Sequence, residues 1–573
     1  MSSVKSVVYL WSSVFGLNST IHPAHLWLDA IVLLLYFSGI VGIGLWAGRR
    51  NATLTEFALG GRSIPWWAVL ASIIAAETSA ATFLGTPAEG FKTRSFIYAQ
   101  LTIGTILARV LIAFTFIRPY YRYGVQSIYE FLEIRFGPWT KNLASGIFLF
   151  TRVLGIGVRL YLGGVIIKVI WQYLFPEITV NIWIYFWGIL FVTLMTTIYT
   201  AIGGIKAVVW TDFIQASLMM GSMVFAMWLL VDHIPGGLAT VKQRLGGLPT
   251  FFQTGLDFKQ GFWIGLKALL EEPYTLFSAL IASTFLTMAT HGTDQDNVQR
   301  MLTAKDFKKS RLSLILSGLA DLPIAFGFLL VGILLSVYYD VLPDPHLPAA
   351  DNEIFAYYIV TQMPIGVRGL IIAGVFATMM GSTSAALNAL ATSFTKDFYL
   401  PYFRRRESRR SPVYAARAAT AVFGALMVVV ATLAAYAVLQ DSKLTIIPLA
   451  LQSFGYAYGS LLAVFLLGML TKRRGRDETN VLAMLLGIAS VLVFCKVKLP
   501  AFDLGELALS GQLRPQDWAF GGWLPQWWPT IAFPWWVFVG CLVCFTVSCL
   551  FPTPPERVQS AEMRGTASEE QGV

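Results

Sequence analysis

The sequence predicts an all-α polytopic membrane protein with about thirteen transmembrane helices. Hydrophobic residues make up 56% of the 573-residue chain and charged residues only 13%, more apolar surface than a water-soluble body of this size can bury. The apolar residues are gathered in runs of about 20, the length that crosses a bilayer core. The basic residues concentrate in short loops between those runs, as loops facing an anionic leaflet do.

In chain order the expected helices are Trp27–Ala47, Trp66–Leu84, Ser95–Phe116, Ser145–Ile170, Ile182–Tyr199, Phe213–Val231 and Thr275–Ala289. They continue with Leu312–Tyr338, Leu370–Phe394, Arg417–Leu439, Ile446–Leu470, Val481–Val497 and Ile531–Leu550. Arg49, Arg50 and Arg62 follow the first; Arg118, Arg122, Arg135 and Lys141 the third; Arg300, Lys305, Lys308, Lys309 and Arg311 the seventh. Arg404, Arg405, Arg406, Arg409 and Arg410 follow the ninth, and Lys472, Arg473, Arg474 and Arg476 the eleventh. Exits from odd-numbered helices are therefore expected in the cytoplasm, with the N-terminus outside a cell (inner) membrane and the C-terminus inside. An odd number of crossings gives the same answer. Trp523, Trp527, Trp528, Trp535 and Trp536 read as an interfacial aromatic belt.

The net charge of +10 lies in these loops and is not read as a nucleic-acid surface. Cys495, Cys541, Cys544 and Cys549 all fall in apolar segments, which suits neither a disulfide framework nor a zinc site. No cleavable leader pattern is seen at the N-terminus, and from Pro552 the tail is polar and expected to be disordered. HExxH and GxSxG motifs are missing, so a membrane-embedded enzyme is not expected.

The polar groups inside the apolar runs carry the chemistry. Gly381-Ser382-Thr383-Ser384 interrupts the ninth run. Each hydroxyl at membrane depth must bond within the protein or hold a ligand, and a patch of neutral oxygens suits a dehydrated hard cation such as sodium. Glu77 lies in the middle of the second run, either a functional acid or half of an ion pair with Arg109 or Arg152. Asp321 precedes Pro323 in the eighth and either acts in the site or organises a kink. Arg109, Arg152 and Arg159 either hold an anionic solute, pair with these acids or snorkel to an interface. His291 is a pocket residue or a proton carrier. Polar breaks near Glu77 and Gly292 fall five helices apart, as two inverted repeats require.

The stretch Gly203-Gly204-Ile205-Lys206-Ala207-Val208-Val209-Trp210-Thr211-Asp212-Phe213-Ile214-Gln215 resembles the loop entering the sixth helix of the sodium/solute symporter family. Gly60-Gly61-Arg62-Ser63, Asp294-Gln295, Val298-Gln299-Arg300, Asn388, Thr395-Lys396-Asp397-Phe398-Tyr399 and Ala463-Val464-Phe465-Leu466-Leu467-Gly468 match in family order. The resemblance covers residues 27 to 475. It implies a five-plus-five inverted-repeat core of the LeuT type. The implied division is an extracytoplasmic segment 1–26, a peripheral first helix 27–59, a first repeat 60–231 and an outer loop 232–268. A second repeat 269–471, peripheral helices 472–551 and a tail 552–573 complete it.

The resemblance also implies uptake of a small organic solute driven by inward sodium flow, with no cofactor other than that ion. It implies a main sodium site at the carbonyls of Ala75, Thr78 and Thr378 and the side-chain positions Gly381 and Ser382. Gly381 departs from the pattern, because relatives carry Ser or Thr there. Glu77, Asp212 and Ser384 are implied for a second sodium or for coupling, with Ala385 a further departure. Thr82, Gln100, Thr287, Thr290, His291 and Gln452 are implied to face the solute. The alternatives are proton coupling through Glu77 or His291, and a sensor or channel on the same fold.

Overall fold

The computed structural model describes residues 26–48, 53–175, 179–256, 259, 261–403, 411–440, 446–503 and 514–570. Arg49, Arg50, Arg404, Arg405, Arg406, Arg409 and Arg410, which the orientation reading uses, lie outside the described residues. The first half of the chain forms α1 (Leu26–Ala47), α2 (Trp66–Glu77), α3 (Thr86–Thr93), α4 (Leu101–Thr115), α5 (Pro138–Leu174) and α6 (Ile182–His233). The second half forms α7 (Thr284–Gly292), α8 (Gln295–Met301), α9 (Phe307–Val341), α10 (Asp351–Gln362), α11 (Val367–Ser393), α12 (Pro412–Gln440) and α13 (Ile446–Leu470). Then come α14 (Asp477–Phe494), a hairpin pairing β1 (Lys498–Asp503) with β2 (Arg514–Ala519), α15 (Trp536–Cys549) and α16 (Pro555–Glu570).

Among the described residues eight helices are long and apolar enough to cross a membrane, or nine when α2 and the segment Ala81–Thr93 count as one bent crossing. α6 has 52 residues. At 1.5 Å per residue it is about 78 Å long, more than twice a hydrocarbon core of about 30 Å. Gly204 divides it, with φ 56° and ψ −155° inside the helix. A Cβ there would lie 2.7 Å from the Phe57 carbonyl oxygen, so only glycine fits both the backbone and the space. The set is consistent with thirteen crossings.

The expected second helix does not run on to Leu84. It stops at Glu77, Thr78 leaves helical geometry (φ −80°, ψ 84°), and the chain resumes through a π-helical turn Ala81–Gly85. The two arms meet at 61°. The Ser79 N–H donates to Glu77 O at 2.9 Å rather than to Ala75 O four residues back, which releases the Ala75 carbonyl. The seventh run breaks as well: α7 ends at Gly292, and the Asp294 side chain caps α8. By contrast α9 continues through Pro323 as one helix.

α11 lies at the centre, with 94% of its apolar window buried, and α1, α2, α5, α6 and α12 surround it. α1 is only 11% buried and lies at the periphery. It is clasped to α11 by Asp29, which accepts from Arg368 Nε at 2.7 Å and from the Gly369 N–H at 2.9 Å. Two expectations change. Trp523 and Trp527 are exposed, but Trp535 and Trp536 are buried, with Trp536 stacked on Tyr456 of α13, so they are packing residues rather than a belt. The tail contains α16, whose Ala561 is buried and whose Glu562 lies 3.6 Å from Lys472, where disorder was expected.

Candidate functional site

A cavity of about 1690 Å³ opens between α3, α5, α10 and the loop before α10, and descends to the breaks in α2 and α7. Its upper wall carries the ion pair Lys168–Glu353 between α5 and α10. Its floor holds Glu77, Arg109, Arg152, Arg159, His291 and Asp296.

Glu77 stands where α2 breaks, and both its carboxylate oxygens are engaged. Oε2 accepts from Arg109 Nη2 of α4, and Oε1 lies 2.6 Å from His291 Nε2 of α7. Arg109 donates onward to Ser317 Oγ of α9 at 3.0 Å, and Thr290 Oγ1 sits 3.0 Å from the second ring nitrogen of His291. One network thus stitches α2, α4, α7 and α9. In this arrangement Glu77 bridges α4 and α7 at the cavity floor.

A second network joins the floor to the rest of the bundle. Arg152 of α5 pairs with Asp294 at 3.2 Å and with Asp296. Arg300 of α8 pairs with Asp296 and reaches Asp212 Oδ2 of α6 at 3.3 Å. Ser72 of α2 donates to the same Asp212 oxygen at 2.5 Å, and Tyr458 of α13 donates to Asp294 Oδ2 at 2.6 Å. Arg159 differs from its neighbours. Its guanidinium lies over the Phe454 ring at 4.8 Å, faces the cavity, and has no ion pair among the described residues.

The expected residues fall into three groups. Thr82, Thr287, Thr290 and His291 line the cavity. Gln100 does not: it is fully buried, its Nε2 donates to Tyr274 O at 2.7 Å and its Oε1 accepts from the Gln253 N–H at 3.3 Å, so both amide ends hold loop backbone. The Gln452 side chain lies outside the described residues. Of the five positions at which the resemblance seats sodium, Gly381 of α11 adjoins Ala75 of α2: a Cβ built on Gly381 would lie 3.5 Å from Ala75 O. Ala75, Thr78, Thr378 and Ser382 are all buried. Ser382 Oγ donates to Thr378 O at 2.9 Å and Thr378 Oγ1 to Val375 O at 2.7 Å, which leaves their lone pairs able to face a cation. Ser384 Oγ donates to Gly381 O at 3.0 Å. Asp212 Oδ1 and Gln215 Oε1 are buried with no hydrogen-bond partner, and a hard cation fits such unsatisfied oxygens.

Sequence reasoning passed over Asp296, Asn297 and the Lys168–Glu353 pair in the cavity wall. It quoted Gln215 only as the end of a motif. The spacing Asp212-x-x-Gln215 was the available signal, because residues three apart share one helix face.

A family model described as "Sodium:solute symporter family" matches residues 57–487. The sodium/sialic acid symporter SiaT of Proteus mirabilis is 28% identical over 80% of this chain and 88% of its own. The human sodium-coupled monocarboxylate transporter 1 is 29% identical over 76% of this chain and 68% of its own. Among solved structures, the substrate-bound, outward-open state of a Na+-coupled sialic acid symporter aligns with a TM-score of 0.71 at 23% identity, covering 91% of this chain and 97% of that one. A nucleobase-cation-symport-1 family transporter in a closed conformation aligns at 0.51 with 14% identity, covering 90% of this chain and 99% of that one. Both structural likenesses are of fold.

Proposed function

The chain belongs to the sodium:solute symporter family, and we propose on that footing that it couples inward sodium flow to the uptake of a small organic anion by alternating access. The observation that carries the solute class is Arg159, a guanidinium facing the cavity beside Phe454 with no carboxylate of its own among the described residues. Guanidinium recognises carboxylate through paired N–H donors, and a bound anion removes the cost of a buried unpaired charge. Thr82, Thr287 and Thr290 offer hydroxyls to the rest of the solute. The names of the two relatives above fit the class, since sialic acid and monocarboxylates are carboxylates, while that of a third, a sodium/glucose cotransporter, does not. A neutral sugar would leave Arg159 without a counter-charge.

The cavity opens among the loops before α7 and α10, which are poor in basic residues, and this supports an outward-facing reading with the N-terminus outside. Sodium is co-substrate. Its seat is the released Ala75 carbonyl with the oxygens of α11 and α6, and holding it would draw α2 against α11. A cycle that moves one net positive charge inward through 100 mV gains about 2.3 kcal/mol, roughly fifty-fold accumulation of solute; with a monoanionic solute that takes two sodium ions per cycle.

The experiment is uptake of labelled sialic acid or pyruvate into proteoliposomes under an inward sodium gradient, with choline as control. Sodium-dependent uptake is expected, and Arg159→Gln is expected to raise KM at least tenfold, one lost charge-assisted contact of about 1.4 kcal/mol. Uptake equal in sodium and choline refutes sodium coupling. The Glu77–His291 contact inside the cavity favours a second reading, proton coupling, which predicts uptake that follows a pH gradient in choline.

A further inference from the structure

We propose that the side-chain amide oxygen of Gln215 is a sodium ligand, standing in for the hydroxyl that Gly381 lacks. The proposal deepens the sodium reading above and rests on it. A Cβ built on Gly381 would lie 3.0 Å from Gln215 Oε1, 3.5 Å from Ala75 O and 3.6 Å from Asp212 Oδ1. The missing side chain therefore leaves a small space ringed by three oxygens, from α2 and from one face of α6. Two of the three, Gln215 Oε1 and Asp212 Oδ1, have no hydrogen-bond partner, and their residues are 2% and 0% exposed. The third is the carbonyl released by the break in α2.

Three acceptors converge here, two of them without a hydrogen-bond partner. A water has two hydrogens and would leave one oxygen unsatisfied; a cation satisfies all three at once. Among the described residues Asp212 has Arg300 as its direct ion-pair partner, and Arg300 is shared with Asp296.

Both α6 ligands are aimed from behind. Ser72 and Arg300 hold Asp212 Oδ2, which leaves Oδ1 turned to Gly381. Gln215 Nε2 donates to Tyr36 OH of α1 at 3.5 Å, which turns Oε1 inward. Glycine at 381 leaves room for the inward amide: a Cβ there would lie 3.0 Å from the amide oxygen, which occupies the space beside the missing hydroxyl.

The test is a double-substitution cycle on the purified full chain. The readout is the sodium concentration giving half the maximal thermal stabilisation, at constant ionic strength with choline and without solute. Gln215→Ala is expected to raise that concentration about tenfold, the equivalent of 1.4 kcal/mol. Gly381→Ser alone is expected to raise it too, and Gln215→Ala/Gly381→Ser to restore most of the affinity, because the vacated space admits the hydroxyl. Gln215→Glu keeps shape and oxygen, and is expected to retain or tighten the sodium response even if Gln215→Ala does not fold. An unchanged midpoint in Gln215→Ala, strictly additive losses in the double variant, or loss of the response in Gln215→Glu overturns the proposal while sodium binding stands. A wild-type protein stabilised equally by sodium and choline overturns the sodium reading itself.

Discussion

Three arginines that look alike in sequence separate in the structure by what faces them. Arg109 is 1% exposed and depends on Glu77 and Ser317; Arg152 depends on Asp294 and Asp296; Arg159 faces the cavity. Glu77→Gln removes the carboxylate and leaves Arg109 as a buried charge without its partner. Its expected cost is about 3 kcal/mol of stability, read as a lower thermal midpoint in sodium-free detergent, where no ion-site effect contributes. Sequence could not sort the three, because the deciding carboxylates lie far along the chain: Arg152 and Asp296 are 144 positions apart. Gln100 was misread for the same reason. An amide at a helix start looks identical whether it faces solute or, as here, the Tyr274 carbonyl and the Gln253 N–H.

The membrane crossings themselves were legible, since lipid demands an almost uniformly apolar surface over a fixed length. The break in α2 was legible from Glu77-Thr78-Ser79, polar residues where the run should be apolar, but the resumption of helix as far as Thr93 was not. The turn inside α6 was half legible: two runs were expected, and Gly203-Gly204 marks their joint. Gly204→Ala is expected to destabilise the protein by at least 1–3 kcal/mol, because the φ/ψ pair excludes a side chain and the Phe57 carbonyl occupies its space. A lower yield of monodisperse protein and a reduced thermal midpoint would report it; an unchanged midpoint would show that the joint can open.

Across the whole molecule the two polar networks divide the labour. The first, Glu77–Arg109–His291–Ser317, lies within α2, α4, α7 and α9; the second runs to α5, α6 and α13. A unit that rocks must keep the first intact and exchange contacts of the second. Accessibility tests this with an impermeant thiol reagent, against the four native cysteines, of which Cys495, Cys541 and Cys544 are buried. Thr82→Cys in the cavity and Asp351→Cys at its mouth are both expected to react from outside. Sodium with solute is expected to slow Thr82→Cys severalfold and leave Asp351→Cys less affected. Equal protection of both would argue for loop closure alone.

α1 stands outside the repeated helices, yet its Tyr36 steadies the amide of Gln215 while Asp29 fastens it to α11. A chain cut down to the ten helices between Trp66 and Leu470 would keep its crevice and its hinge points. It would lose the outrigger that trains one oxygen on the proposed ion, and is expected to become a carrier whose gate answers more weakly to the gradient.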